Sequence, residues 1–214
     1  MTTIVAAVLG PAIAVGLAWL VGNRLSFKWD LRRKYRELDV ESLQEFYRLY
    51  GEFFSLLKLW DSWKRRAIPD TTDQPALDHI LERATNAEGR LEALLLKIAS
   101  ERELGIAEQD ILGAFRQGYQ TLRESMREDR AVNWNYSNYE PYAAFKVLAC
   151  AISNFLSADR PVNLRQVPSE SSVRSFRQLT SNAYEYPRAG RVGGDKPWMS
   201  VAEKRGLVPP TPSP

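Results

Sequence analysis

The chain has 214 residues, with 29 Lys and Arg against 26 Asp and Glu. That length gives one ordinary domain plus appendages, and a net charge of +3 is too small to mark a nucleic-acid-binding face. The only cysteine, Cys150, and the only histidine, His79, exclude an intrachain disulfide and any zinc or carboxylate–histidine metal centre, which need more sulfur or nitrogen ligands than this.

The first element is the uncharged apolar run from Ile4 to Val21. At ~1.5 Å per residue it matches a hydrocarbon core of ~30 Å. It opens without Lys or Arg, so it reads as a retained transmembrane anchor over 1–23 rather than a cleaved signal. Gly10, Ala14 and Gly16 are small residues at spacings that permit helix–helix approach, which makes them candidate span-packing positions. Pro11 is expected to kink the helix.

Arg24, Lys28, Arg32, Arg33, Lys34 and Arg36 follow at once, with Asp30 among them. Lys and Arg are retained on the cytoplasmic side, so the N-terminus is expected outside and the C-terminus in the cytoplasm of a plasma or inner cell membrane. These six cations are also candidate contacts for anionic lipid headgroups. Residues 24–42 are expected to form a basic helical stalk.

From Leu43 the period turns helical. Leu43, Phe46, Tyr50, Phe53, Leu57 and Trp60 alternate spacings of three and four, the pattern of a buried seam. Gly51 inside the helix predicts close packing of a facing side chain. Glu52, flanked by Gly51 and Phe53, is a candidate buried acid and partner contact. The sharper reading of Gly51 to Trp60 is an exposed aromatic binding face; the plainer one is a bundle core.

Asp73 and Pro75 open a second helix with Leu77, Ile80, Ala84, Ala87, Leu91, Leu94 and Ile98 inward, and Gly105 as its stop. His79 falls off that seam, as a solvated residue would. A third helix over about 107–129 carries Ile111, Phe115, Leu122 and Met126, with Gly113 and Gly118 as close-contact positions. A fourth, over about 139–158 with Asn138 as its cap, carries Phe145, Leu148, Ile152 and Phe155. Cys150 lies near that face and is expected to be a partly buried thiol. Helices joined by short connections give an antiparallel four-helix bundle over 43–158.

Residues 159–214 are basic and rich in Pro and Gly, and are expected to be a mostly disordered tail with a short helix over 169–183. Within it Lys196 to Arg205 has the composition of a docking peptide, with Trp198 and Met199 as candidate partner contacts.

The predicted fold is therefore all-α: a single transmembrane helix continuing into a stalk, a four-helix bundle and a tail. None of the phosphate-loop, nucleophile-elbow or zinc-protease motifs is present, and no cofactor, metal or catalytic residue is expected. The expected function is that of a membrane-anchored cytoplasmic interaction module, an adaptor or sensor. Its partners would be the bilayer, a cytosolic protein and, through the span, a second copy, but no nucleic acid. The alternative is a single-span effector that oligomerises and perturbs the bilayer.

Overall fold

A computed structural model describes residues 2–65, 74–129, 140–158, 167–181 and 197–207. Among these its only regular structure is helical, with α1 Thr2–Lys64, α2 Gln74–Glu101, α3 Ile106–Arg127, α4 Glu140–Ser157, α5 Ser169–Leu179 and α6 Pro197–Lys204. Among the described residues no helix is long and apolar enough to cross a membrane. The side chains of 2–18, 20 and 21 lie outside the described residues. These include most of the expected span and its Gly10, Ala14 and Gly16.

Helix α1 runs for 63 residues, or ~95 Å, and continues across Pro11. Its side chains are exposed over 22–30 and half-buried at Leu31, Tyr35, Leu38 and Asp39, and Ser42 is buried. The stalk thus meets the bundle at about Leu38. Beyond it, α1 packs on α2 and α4, and α3 packs on α2 and α4. The four form a ring in which each helix runs against its chain neighbour. The seam sits in the core as expected: Phe46, Phe53, Leu57, Trp60, Leu91, Leu94, Ile98, Phe115, Leu122, Leu148 and Ile152 are all buried, and Tyr50 packs half-buried against them. The aromatic stretch after Gly51 is core, not a binding face.

Phe145 of α4 is the hub of that core. Its ring stacks on Phe53 at 4.3 Å and on Phe115 at 4.7 Å between centroids. Phe53 in turn meets Tyr119 edge-on at 4.9 Å, and the buried Tyr119 hydroxyl donates to the Leu49 carbonyl across the bundle. The seat for Phe145 exists because position 118 is glycine: a Cβ there would lie 2.6 Å from the Phe145 ring.

Three local expectations change. Gly51 faces open space, with nothing within 4 Å of a Cβ placed there, because it points away from the bundle. Cys150 is exposed, one residue past the buried pair Leu148 and Ala149. Gly105 does not stop α2, which ends at Glu101; it precedes α3 as its N-cap, and Glu108 sits three residues into that helix, where a carboxylate complements the helix dipole.

In the tail, α5 falls on the short helix expected over 169–183, and α6 was not expected as a helix. The two close one end of the bundle, α5 against α2 and α3, and α6 against α3 and α4. The average composition of the tail hides α6. Helix α5 has Glu170 in its first turn and Arg177 in its last, both favourable to the dipole, and its Leu179 is fully buried. It ends at Leu179, short of the expected 183. Helix α6 buries Ala202 and ends on Gly206 with φ +66°. There Leu207 N–H donates to the Ala202 carbonyl at 2.8 Å and Gly206 N–H to that of Glu203 at 2.9 Å, the paired bonds of a glycine-terminated helix end.

Two glycine substitutions test this packing with opposite signs. Gly118→Ala is expected to destabilise by about 1–3 kcal/mol through overpacking against Phe145. Gly51→Ala is expected to stabilise by up to about 1 kcal/mol, since a solvated helix interior prefers alanine. Urea denaturation followed by circular dichroism reads both.

Candidate functional site

The features that interaction chemistry could use gather along the stalk and at the stalk end of the bundle. In the stalk Trp19, Leu25, Phe27 and Trp29 are exposed, the two indoles at 66% and 67%. At 100° per residue Leu25 and Trp29 share one side of α1 and Phe27 points to the opposite side, so the four do not form one stripe. The predicted cations Arg24, Lys28, Arg32, Arg33, Lys34 and Arg36 are exposed as well. Arg33 Nε donates to Glu37 at 3.1 Å, a surface pair worth little by itself. A helix that lies flat on a membrane presents one apolar face; this one is mixed all round.

A hollow of about 650 Å³ borders this segment at Trp29, Arg32, Arg36, Val40 and Gln44. These residues share the face of α1 turned away from the bundle, and only that one wall is described. A smaller recess of about 300 Å³ follows where α1 meets α2, between Glu45, Arg48, Arg90 and Lys97. Its charges are already matched: Arg90 donates to Glu45 at 2.7 Å, and Lys97 pairs with Glu41.

Glu52 joins that series rather than awaiting a partner. Arg83 reaches its Oε1 with Nε at 3.0 Å and Nη2 at 2.8 Å. The three α1–α2 pairs step in opposite directions along the two helices. Arg83, Arg90 and Lys97 are seven apart on α2, and Glu45 and Glu52 are seven apart on α1. This antiparallel charge register was open to sequence reasoning, but it takes the relative position of the helices to see which acid meets which base.

The series ends on a buried pair that the sequence analysis missed. Arg102 Nη2 lies 2.7 Å from Asp39 Oδ1, with the two side chains 6% and 12% exposed. The same guanidinium donates to the carbonyls of Phe155 at 2.7 Å and Leu156 at 2.8 Å and lies over the Phe155 ring. It therefore joins the start of the packed part of α1 to the ends of α2 and α4. Burial pulls its pKa down to about 10, so it stays charged at neutral pH. Next to it, α6 is tied to the first turn of α3 by Arg205, which pairs with Asp110 and donates to the Ile106 carbonyl at 3.3 Å. Gln109 of α3 reaches Ser175 of α5 at 3.3 Å.

The α2–α3 face carries a second buried polar group. Arg116 holds Glu92 through Nε and Nη2. Glu88 Oε2 lies 3.0 Å from Arg123 Nε without the alignment of a hydrogen bond. Burial raises the Glu88 carboxyl above its ordinary range, against the opposing pull of Arg123 and Arg116. Trp198 and Met199 fall in the first turn of α6, with side chains outside the described residues. His79 is exposed. Among the described residues no group of three or more His, Cys, Asp or Glu is placed to hold a metal ion. No family model matches the chain, no curated protein matches it, and no solved structure matches it.

Removing either partner of the Asp39–Arg102 pair leaves a buried charge uncompensated. Asp39→Ala and Arg102→Met are each expected to lower unfolding free energy by about 3–5 kcal/mol, read by urea denaturation. The double variant Asp39→Ala/Arg102→Met is expected to lose less than the sum of the two.

Glu88 sets a pH dependence. A carboxyl whose pKa is raised in the folded state binds more protons there than in the unfolded chain. Its contribution to stability therefore rises as pH falls through the raised value toward the ordinary 4.5 and is lost above it. Glu88→Gln is expected to melt above the unsubstituted protein at pH 7, with the gap closing at pH 4 in paired thermal scans. A lower melting temperature at pH 7 would show that the Arg123 pairing outweighs burial.

Proposed function

We propose that the protein is a membrane-tethered helical interaction module, with the bundle displayed on the cytoplasmic side as an adaptor or sensor for a protein partner. The observation that carries this reading is the continuity of α1. One unbroken helix, Thr2–Lys64, contains in order the uncharged apolar run from Ile4 to Val21, the basic stalk and the first helix of the bundle. Such a helix couples an anchor rigidly to a folded domain.

The stalk supports this reading in two ways. Its cations follow the apolar run immediately, where the retention of Lys and Arg fixes orientation and draws anionic lipid. Exposed Trp19, Phe27 and Trp29 suit the interface between hydrocarbon and water, and their spread around the axis fits a helix that crosses that interface rather than one lying in it. Among the described residues the bundle interior is filled mainly by rings and aliphatic side chains, and the buried Arg102 and Arg116 are held by Asp39 and Glu92.

The full chain is expected to remain with membranes after carbonate extraction, and a variant lacking 2–23 to become soluble with its helical content intact. Release of the full chain by carbonate would overturn the tether. A poly-Leu replacement of the span is expected to keep both location and partner capture. If activity instead disappears on Gly10→Leu, Ala14→Leu and Gly16→Leu while insertion persists, the span acts as an oligomerising effector.

A further inference from the structure

Helix α1 carries an uncovered stripe on the side away from the bundle. At about 100° per residue, Trp29, Arg33, Arg36, Val40, Tyr47 and Gly51 fall within about 60° of one another around the axis. All six are exposed, whereas Ser42, Phe46 and Leu49 on the other side are buried. Trp29, Val40 and Tyr47 are 67%, 52% and 52% exposed. At the end of the stripe Gly51 meets nothing within 4 Å of a Cβ, so a facing backbone can come close there.

The charges beside the stripe are sorted by side. Arg32 and Arg36 lie at one flank, and Asp30, Glu37 and Glu41 at the other. Of the cations on the acidic side, Lys34 lies further round the helix, and Arg48 is 3.7 Å from Glu45. Arg32 precedes Glu37, and Arg36 precedes Glu41, by five residues each. Five is the offset at which one flank of a helix meets the opposite flank of a parallel copy. In an antiparallel pair each flank would meet itself, base against base and acid against acid. Glu37 and Glu41 are paired within their own copy with Arg33 and Lys97, yet their side chains remain 65% and 68% exposed. A carboxylate so placed has further lone pairs to offer.

We propose that a second copy of this chain docks along this stripe, parallel and related by a two-fold axis, to form a dimer through the stalk. Arg32 and Arg36 of each copy then meet Glu37 and Glu41 of the other. The inference rests on the tether reading for one point: two copies anchored in one membrane meet in parallel, which is the orientation the flanks accept. In that reading Arg32 and Arg36 stand ~16 Å and ~22 Å beyond Val21 along an upright helix, whereas the headgroup layer is only ~5–8 Å deep. The bilayer alone therefore does not account for them. Arg33 and Arg36 make the stripe a weak seam by itself, and sharing a membrane raises the effective concentration that a weak seam needs.

Oxidative crosslinking of the full chain in phosphatidylcholine liposomes, in a Cys150→Ser background, tests the dimer. Val40→Cys is expected to crosslink to its own copy at least tenfold faster than Leu96→Cys on α2, since both positions are 52% exposed but only one lies on the stripe. Arg32→Glu/Arg36→Glu is expected to slow the Val40→Cys crosslink at least fivefold, and Glu37→Arg/Glu41→Arg to do the same. Mixing these two variants is expected to restore the rate between them, because acidic flanks then meet basic ones. Equal rates at 40 and 96, indifference to charge reversal, or no recovery on mixing overturns the stalk dimer. Gly10→Leu, Ala14→Leu and Gly16→Leu are expected to leave the rate unchanged; loss of the crosslink on these changes puts the contact in the span and overturns it as well. Failure of the tether reading shows separately, as release of the unsubstituted chain by carbonate, and a Val40→Cys crosslink in released chain still supports the stalk contact.

Discussion

A guanidinium buried where three helices meet holds the lower end of this bundle. Arg102 would be very costly to bury as an isolated charge, and the fold supplies Asp39 from α1 and the carbonyls of Phe155 and Leu156 at the end of α4. Those carbonyls belong to the last turn of a helix, where they lack intrahelical donors, so each side satisfies the other. One cation thus fixes where α1 enters the bundle, where α2 stops and where α4 stops. Helix α3 starts three residues after the α2 end is pinned, at a glycine N-cap, and the two C-terminal helices dock on that corner.

The interfaces divide the work. Between α1, α3 and α4 the contact is aromatic, with Phe46, Phe53, Phe115, Tyr119 and Phe145 in ring-to-ring contact. Burial of such rings is the larger source of stability, since each removes a wide apolar surface from water. Between α1 and α2 the edge is a row of half-exposed ion pairs, each worth little. The seven-residue spacing of Arg83, Arg90 and Lys97 sets each opposite an acid of α1 in the observed antiparallel register. At the far end Lys64 of α1 donates to the carbonyl and carboxylate of Asp129, whose φ of +52° turns the chain out of α3.

For the proposed function the continuity of α1 and the placement of the C-terminal helices both matter. The stalk is a continuation of a core helix, so in the tether reading a displacement at its N-terminal end would reach the bundle through covalent, hydrogen-bonded structure. Helices α5 and α6 sit at the end of the bundle where the stalk enters. The segment with the composition of a docking peptide therefore lies beside the junction of stalk and bundle, not at the distant tip.

The sequence by itself determined the class of fold and most of the core. The alternation of three and four places Phe53, Leu57, Trp60, Leu94, Ile98, Phe115 and Leu148 on inward faces, since side chains three and four apart share one side of a helix. It also delimited α3 and α4 closely. In the tail it marked α5 but not α6, because a helix as short as α6 is not stable from its own residues and forms where a groove built by others receives it. Nor did it distinguish Gly51 from Gly118: the same residue type in the same kind of helix faces water in one case and a phenyl ring in the other. The pairing of Asp39 with Arg102, 63 positions apart in sequence, was decided only by tertiary structure, because a charge shows its partner only once the helices are laid side by side.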